Sequence, residues 1–147
     1  MQVKAVIHEK YKETEIHVCS GELDGTTRKL VDELSEFVNT GLPVQRQNGD
    51  KTVIHEKDVI CFFSEGQKVF ARTAKEIYAV PKRLYELEDN LNEKLFFRSS
   101  KSEIINLKQI QRLDMSLSGT IRVIMKDGSE TYTSRRNVVK LKKVLGI

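Results

Sequence analysis

From Val44 onward the chain is a succession of short β-type runs broken by tight-turn signals, and this constrains the fold more than anything else in the sequence. The runs cover 44–47, 51–54, 59–63, 68–73 and 76–80, then 95–98, 103–106, 110–116, 120–125 and 130–133. Asn48-Gly49, Glu65-Gly66 and Asp127-Gly128 fall between them, and dipeptides of this kind favour the backbone of a two-residue hairpin turn. Strands this short and this closely spaced bury a core only by stacking into a compact, mainly β domain. Two helices interrupt the series. Pro81 opens one, with Leu84, Leu87 and Leu91 on one side; the other, 135–145, turns Val138, Leu141, Val144 and Leu145 inward and ends at Gly146.

The first 43 residues follow another pattern. Val3, Ala5 and Ile7, then Ile16 and Val18, alternate in part and predict strands over 2–8 and 14–19. Leu30, Val31, Leu34, Phe37 and Val38 recur at helical spacing and predict a helix over 26–40, stopped by Gly41 and Pro43. The expected organisation is therefore a small ββα unit at 1–43 and a mainly β domain at 44–147, α+β overall, with a dimerising or regulatory role open to the small unit.

Catalysis finds little support. His17 and Cys19 share one side of a strand, but His8, His55 and Cys61 are scattered, and a structural zinc site needs four ligands at recognisable spacing. Cys61, within VICFF, reads as a small buried hydrophobe. No GxGxxG, GxxxxGK[ST] or GxSxG motif is present. The residues suggest no enzyme, cofactor, metal or small-molecule substrate. No apolar run approaches the roughly 18 residues of a membrane span, and the apolar run in MQVKAVIHEK is too short for a signal peptide. The two cysteines are accordingly expected to be reduced thiols of a cytoplasmic protein.

Charge is unevenly placed. From Lys94 to Ile147 there are 12 Lys+Arg against 4 Asp+Glu; from Met1 to Glu93 there are 13 against 17. A basic C-terminal third on a mildly acidic remainder suits a nucleic-acid binder. Separated helices argue against a helix-turn-helix. The pairs Phe62-Phe63 and Phe96-Phe97 place one ring on each face of a strand, which argues against a base-stacking sheet. Arg98, Lys101, Arg135 and Arg136 suit duplex DNA, where they can donate to guanine or phosphate oxygens. Ser99, Ser100 and Ser102 are small enough for close approach to a backbone, and their hydroxyls can donate to phosphates.

The stretch FFRSSKSEIINLKQI (96–110) resembles the signature of the LytTR DNA-binding family: two aromatics, Arg, a short polar turn, an aliphatic pair, Asn-Leu and a further Ile. VICFFSEGQKVFARTAKEIYAV resembles the family's strand-turn-strand, PKRLYELEDNL its short helix, and TYTSRRNVVKLKKVLG its closing element. The resemblance runs from about Val44 to Leu145. It implies an elongated arrangement of β-strands in three small sheets, whose loops enter successive major grooves of duplex DNA. Carried onto this chain, it implies base contacts at Gln67-Lys68, Lys101 and Arg136, and phosphate contacts at Ser100, Ser102 and Arg135. Arg98 and Asn106 match the signature with structural roles, and Phe62, Phe97, Ile104, Ile105 and Leu107 are core. Family members often carry His or Asn in the signature turn; Ser100 and Lys101 here imply a different operator. Residues 1–43 are too short for a phosphoryl-accepting receiver, so the chain resembles the stand-alone type, a transcription regulator acting as a homodimer on repeated half-sites. Some stand-alone members are paired with a membrane protein that restrains them, and the resemblance implies such a partner. The competing expectation is a basic protein-interaction module for an acidic partner, with the helical face of Leu30, Leu34, Phe37 and Val38 as a contact surface.

Overall fold

The computed structural model describes residues 2–10, 15–116 and 118–147, with Asn39 and Thr40 as backbone. The chain divides into two compact units, Met1–Glu36 and Phe37–Ile147.

Among the described residues of the first unit the expected strands do not form. Residues 2–8 and 15–19 carry no strand, and Thr14 lies outside the described residues. Val3, Ala5 and Ile7 are exposed, so their partial alternation buries nothing. An isolated two-stranded hairpin is marginal in water without a third strand or a covering helix. The helix does form, as α1 (Gly25–Thr40), one residue earlier than the periodicity predicts. Its cap is Asp24, whose carboxylate accepts from the Thr27 amide at 2.7 Å. That bond holds the Asp24 carboxyl below its ordinary range.

In the second unit every expected strand is present: β1 (Gly41–Gln45), β2 (Lys51–His55), β3 (Val59–Glu65), β4 (Lys68–Thr73), β5 (Ile77–Val80), β6 (Phe96–Ser100), β7 (Glu103–Asn106), β8 (Ile110–Asp114), β9 (Ile121–Met125) and β10 (Glu130–Thr133). The helices are α2 (Leu84–Asn90) and α3 (Arg135–Leu145). α1 runs directly into β1, and Gly41 is the residue that permits it: a Cβ there would stand 2.5 Å from the Phe37 carbonyl oxygen. Leu42 and Val44 of β1 are buried in the core of this unit.

Among the described residues the strands form two sheets rather than three. One has the order β2-β1-β5-β4-β3-β7-β6 and the other β10-β9-β8. The difference turns on one contact. β1 joins β5 through a single register pair, Gln45↔Ala79. Continuing that antiparallel register by two residues sets Pro43 opposite Pro81, the only two prolines of the chain. Neither has an amide hydrogen to donate, so the ladder stops. The β1–β2 hairpin thus joins the ladder of the other five strands through one register pair, while Leu42 and Val44 pack into their core.

The core has two layers. Val59, Phe62, Val69, Tyr78, Phe96 and Ile104 pack with Leu84, Leu87 and Leu91 from α2 and its C-terminal flank on one face. Ile60, Cys61, Phe97 and Ile105 pack with Ile121, Val123 and Met125 of β9 and Leu141 of α3 on the other. Paired aromatics therefore do split between faces, Phe96 to one and Phe97 to the other. A bulge between Val59 and Cys61 explains why Val59 and Phe62, of opposite parity, share a face. Burial pushes the Cys61 thiol up to about 12, with the Glu103 charge adding to it.

Candidate nucleic-acid interface

The site is built at one end of the central strands. β3 and β4 are joined by a turn in which Gly66 has φ +63°, a conformation that side chains with a Cβ rarely adopt, and this turn presents Gln67. β6 and β7 are joined by the turn Ser100–Ser102. Phe63 pairs with Glu103, and the Ser64 amide donates to the Ser102 carbonyl at 2.9 Å, so the two turns lie side by side.

β6 carries a bulge between Arg98 and Ser100. Bulges re-aim side chains, and this one turns Ser99 inward. Ser99 is fully buried, so it offers no hydroxyl to a phosphate; it donates instead to the Glu103 carbonyl at 3.3 Å. Its own carbonyl accepts from the Ser134 amide at 3.2 Å. The Asn137 side chain donates to the Arg98 carbonyl at 3.1 Å. The start of α3, with Arg136, is thereby fixed against the Ser100–Ser102 turn.

Arg98 braces that turn from within. Its Nε donates to the Ser100 carbonyl at 2.6 Å and its guanidinium to the Lys101 carbonyl at 2.5 Å. The remaining charge is met by Glu88 at 3.0 Å. A guanidinium is suited to this work because its five donors sit in a fixed plane. Asn106 pins the far end of β7. It is fully buried, donates to the Val59 carbonyl at 2.8 Å and accepts from the Lys108 amide at 3.0 Å. Both residues therefore have the structural roles expected of them.

Two open depressions connect the predicted contact residues. Gln67, Arg83, Arg98 and Lys101 line one. Arg98, Ser100, Lys101, Arg136 and Asn137 line the next. Lys68 is exposed but lines a third groove, which it shares with Gln67, Lys82 and Arg83. Ser102 remains at the turn, its amide donating to the Ser100 hydroxyl at 3.3 Å. Arg135 is exposed but lines neither of the first two depressions; its side chain lies over Gly119, where a Cβ would stand 3.3 Å from its Nε. Among the described residues, Lys101 and Arg136 form no ion pair, whereas Arg46, Arg98 and Arg122 do. Among the described residues no cluster of three or more His, Cys, Asp or Glu side chains is placed to hold a metal, and no helix is long and apolar enough to cross a membrane.

The family model of the LytTr DNA-binding domain matches residues 50–146. This chain belongs to the LytTR DNA-binding family. An uncharacterized HTH-type transcriptional regulator of Staphylococcus aureus strain MSSA476 is 30% identical over 100% of this chain and 99% of its own. A similarly described protein of strain NCTC 8325 is 29% identical over the same shares. Among solved structures, a LytTr DNA-binding domain, from a protein described as a methyl-accepting/DNA response regulator of Bacillus cereus, superposes with a TM-score of 0.69. It is 18% identical and covers 74% of this chain and 98% of that one. The relatives' names invoke a helix-turn-helix, but strands separate all three helices described here.

Arg83 and Asn137 join the lining of these depressions without having stood out in the sequence. Arg83 was visible within PKRLYELEDNL but falls outside the basic C-terminal third, and Asn137 carries no charge to draw notice.

Proposed function

We propose that this chain is a transcription regulator that binds duplex DNA in a sequence-dependent way. Gln67, Lys101 and Arg136 approach base edges in successive major grooves, with Lys68 beside them. Ser100, Ser102 and Arg135 contact phosphates, and the protein acts as a dimer on repeated half-sites. The observation that carries the reading is the pair of adjoining depressions, which share Arg98 and Lys101 and so connect three turns far apart in sequence. Lys and Arg are the side chains that donate to guanine O6 and N7, and each such contact discriminates one base from the others by about 1–3 kcal/mol. The residues preceding β1 are the segment proposed to dimerise or to receive a regulating partner, including a restraining membrane protein.

The test is selection of bound duplexes from a random pool at about 150 mM salt, where purely electrostatic binding is suppressed. Two similar short motifs about one or two helical turns apart are expected. Failure to enrich any sequence, with folded protein, would overturn the reading.

A further inference from the structure

The groove beside the first reading turn is a direct consequence of Pro43 and Pro81. Where the β1–β5 ladder ends, the hairpin and the sheet part, and the gap is floored by Val44, Val69, Ala79 and Val80. Its rim is basic: Lys51 from β2, Lys68 from β4, and Lys82 and Arg83 from the segment before α2. Among the described residues, Glu86 is the single carboxylate on the lining. All four cations are exposed, and none forms an ion pair among the described residues. Gln67 and Arg83 line both this groove and the depression that contains Lys101. One continuous cationic surface therefore extends past the reading turns toward the β1–β2 hairpin.

We propose that Lys51, Lys82 and Arg83 bind the phosphate backbone of the DNA that flanks the bases read by the turns. This rests on the duplex-binding reading above and extends its footprint. Four positive groups around a single carboxylate complement a polyanion, not an apolar segment. Among the described residues no aromatic side chain lines the groove for a base to stack on, so backbone rather than base contact is its chemistry. Phosphates lie on both sides of any major groove that a turn enters, so a basic surface adjoining a reading turn meets them first.

The test uses the full chain with Lys51→Gln, Lys82→Gln and Arg83→Gln combined; all three side chains are exposed, so the fold is retained. Lys75→Gln, in the turn at the other end of β4 and β5, is the control. Affinity is measured against salt on the selected duplex with flanks of about one helical turn and on the same duplex trimmed to its motifs. For the triple variant on the flanked duplex, the slope of log affinity against log salt is expected to fall by about 2 to 3, at about 0.9 for each phosphate no longer neutralised. Base preference stays as in the wild type, and the trimmed duplex shows little difference. An unchanged slope on the flanked duplex overturns the proposal while leaving the reading turns intact, provided Arg136→Ala still loses base preference. A changed base preference in the triple variant also overturns it, because the groove would then read sequence. Unchanged duplex binding with weakened binding to polyglutamate at matched ionic strength overturns it too, and assigns the groove to an acidic protein instead. A folded wild-type protein that binds no duplex at any salt removes the functional reading, and this proposal with it.

Discussion

Asn137, in the first turn of α3, donates its side-chain amide to the Arg98 carbonyl on β6 at 3.1 Å. This one bond spans the two elements that place Lys101 and Arg136. Asn137→Ala is expected to cost about 1 kcal/mol of folding stability, the usual net worth of a hydrogen bond. Selectivity should fall with it: binding to the selected duplex drops several-fold, while binding to a random duplex changes little. Urea unfolding and paired titrations check both halves.

Lys101 and Arg136 differ from the serines beside them in what their removal should do. Lys101→Ala and Arg136→Ala are each expected to cost about 1–3 kcal/mol on the selected site and to relax base choice at one position. Ser102→Ala should weaken all sequences equally. If about four phosphates are neutralised in all, the wild-type slope of log affinity against log salt is near −3.6. Equal weakening on every sequence for Arg136→Ala would make it a phosphate contact.

Asn106 tests the scaffold alone. It is fully buried with both ends of its amide engaged. Asn106→Leu removes those partners and strands the Val59 carbonyl and the Lys108 amide. The expected loss is about 2–4 kcal/mol, combining broken bonds with unmet buried groups. Chemical denaturation measures it, and DNA affinity at temperatures where the variant stays folded should be near normal.

The two cysteines should behave oppositely. Cys19 is exposed and Cys61 buried. With its thiol pushed up to about 12, Cys61 carries almost no thiolate near neutral pH. A thiol reagent at about pH 8 is expected to label one cysteine in the folded protein and two after denaturation. The linkage has a definite sign. The unfolded thiol ionises near 9.0, while the folded thiol holds its proton to about 12. Cys61 thus contributes stability that is complete below that unfolded value and is lost as pH rises between the two. Cys61→Ala should remove that part of the alkaline loss.

The strand positions were legible because each rests on local signals: apolar runs, Gly-containing turns and a proline ahead of α2. The first unit was misread for a related reason. Alternation at Val3, Ala5 and Ile7 marks a strand only if a partner pairs with it, and no local pattern reports a partner. The bulge at Ser99 was illegible too. Its sequence, RSSK, looks like a turn of equivalent small residues, yet the register shift sends one serine into the core and leaves its neighbours outside. Lys101 and Arg136 stood out by charge in the basic C-terminal third, but Gln67, and the grouping of all three, came only through resemblance, since nothing local predicts that turns over thirty residues apart share a surface. The opening beside β1 follows from two prolines that the sequence displays plainly, but their opposition depends on a register set by the Gln45↔Ala79 pair.

Arg98 grips the Ser100–Ser102 turn by two main-chain carbonyls, and a carbonyl is the one group that every amino acid brings. That brace is therefore indifferent to which side chains the turn displays, while the Ser100 hydroxyl adds its own hold on the Ser102 amide. Replacing Lys101 changes what is offered to the groove without touching what holds the offer in place. If the turn reads bases as proposed, a protein built this way can drift from one operator to another by single substitutions, each starting from an already folded and already aimed scaffold. Binding preference and foldability become separately inheritable traits.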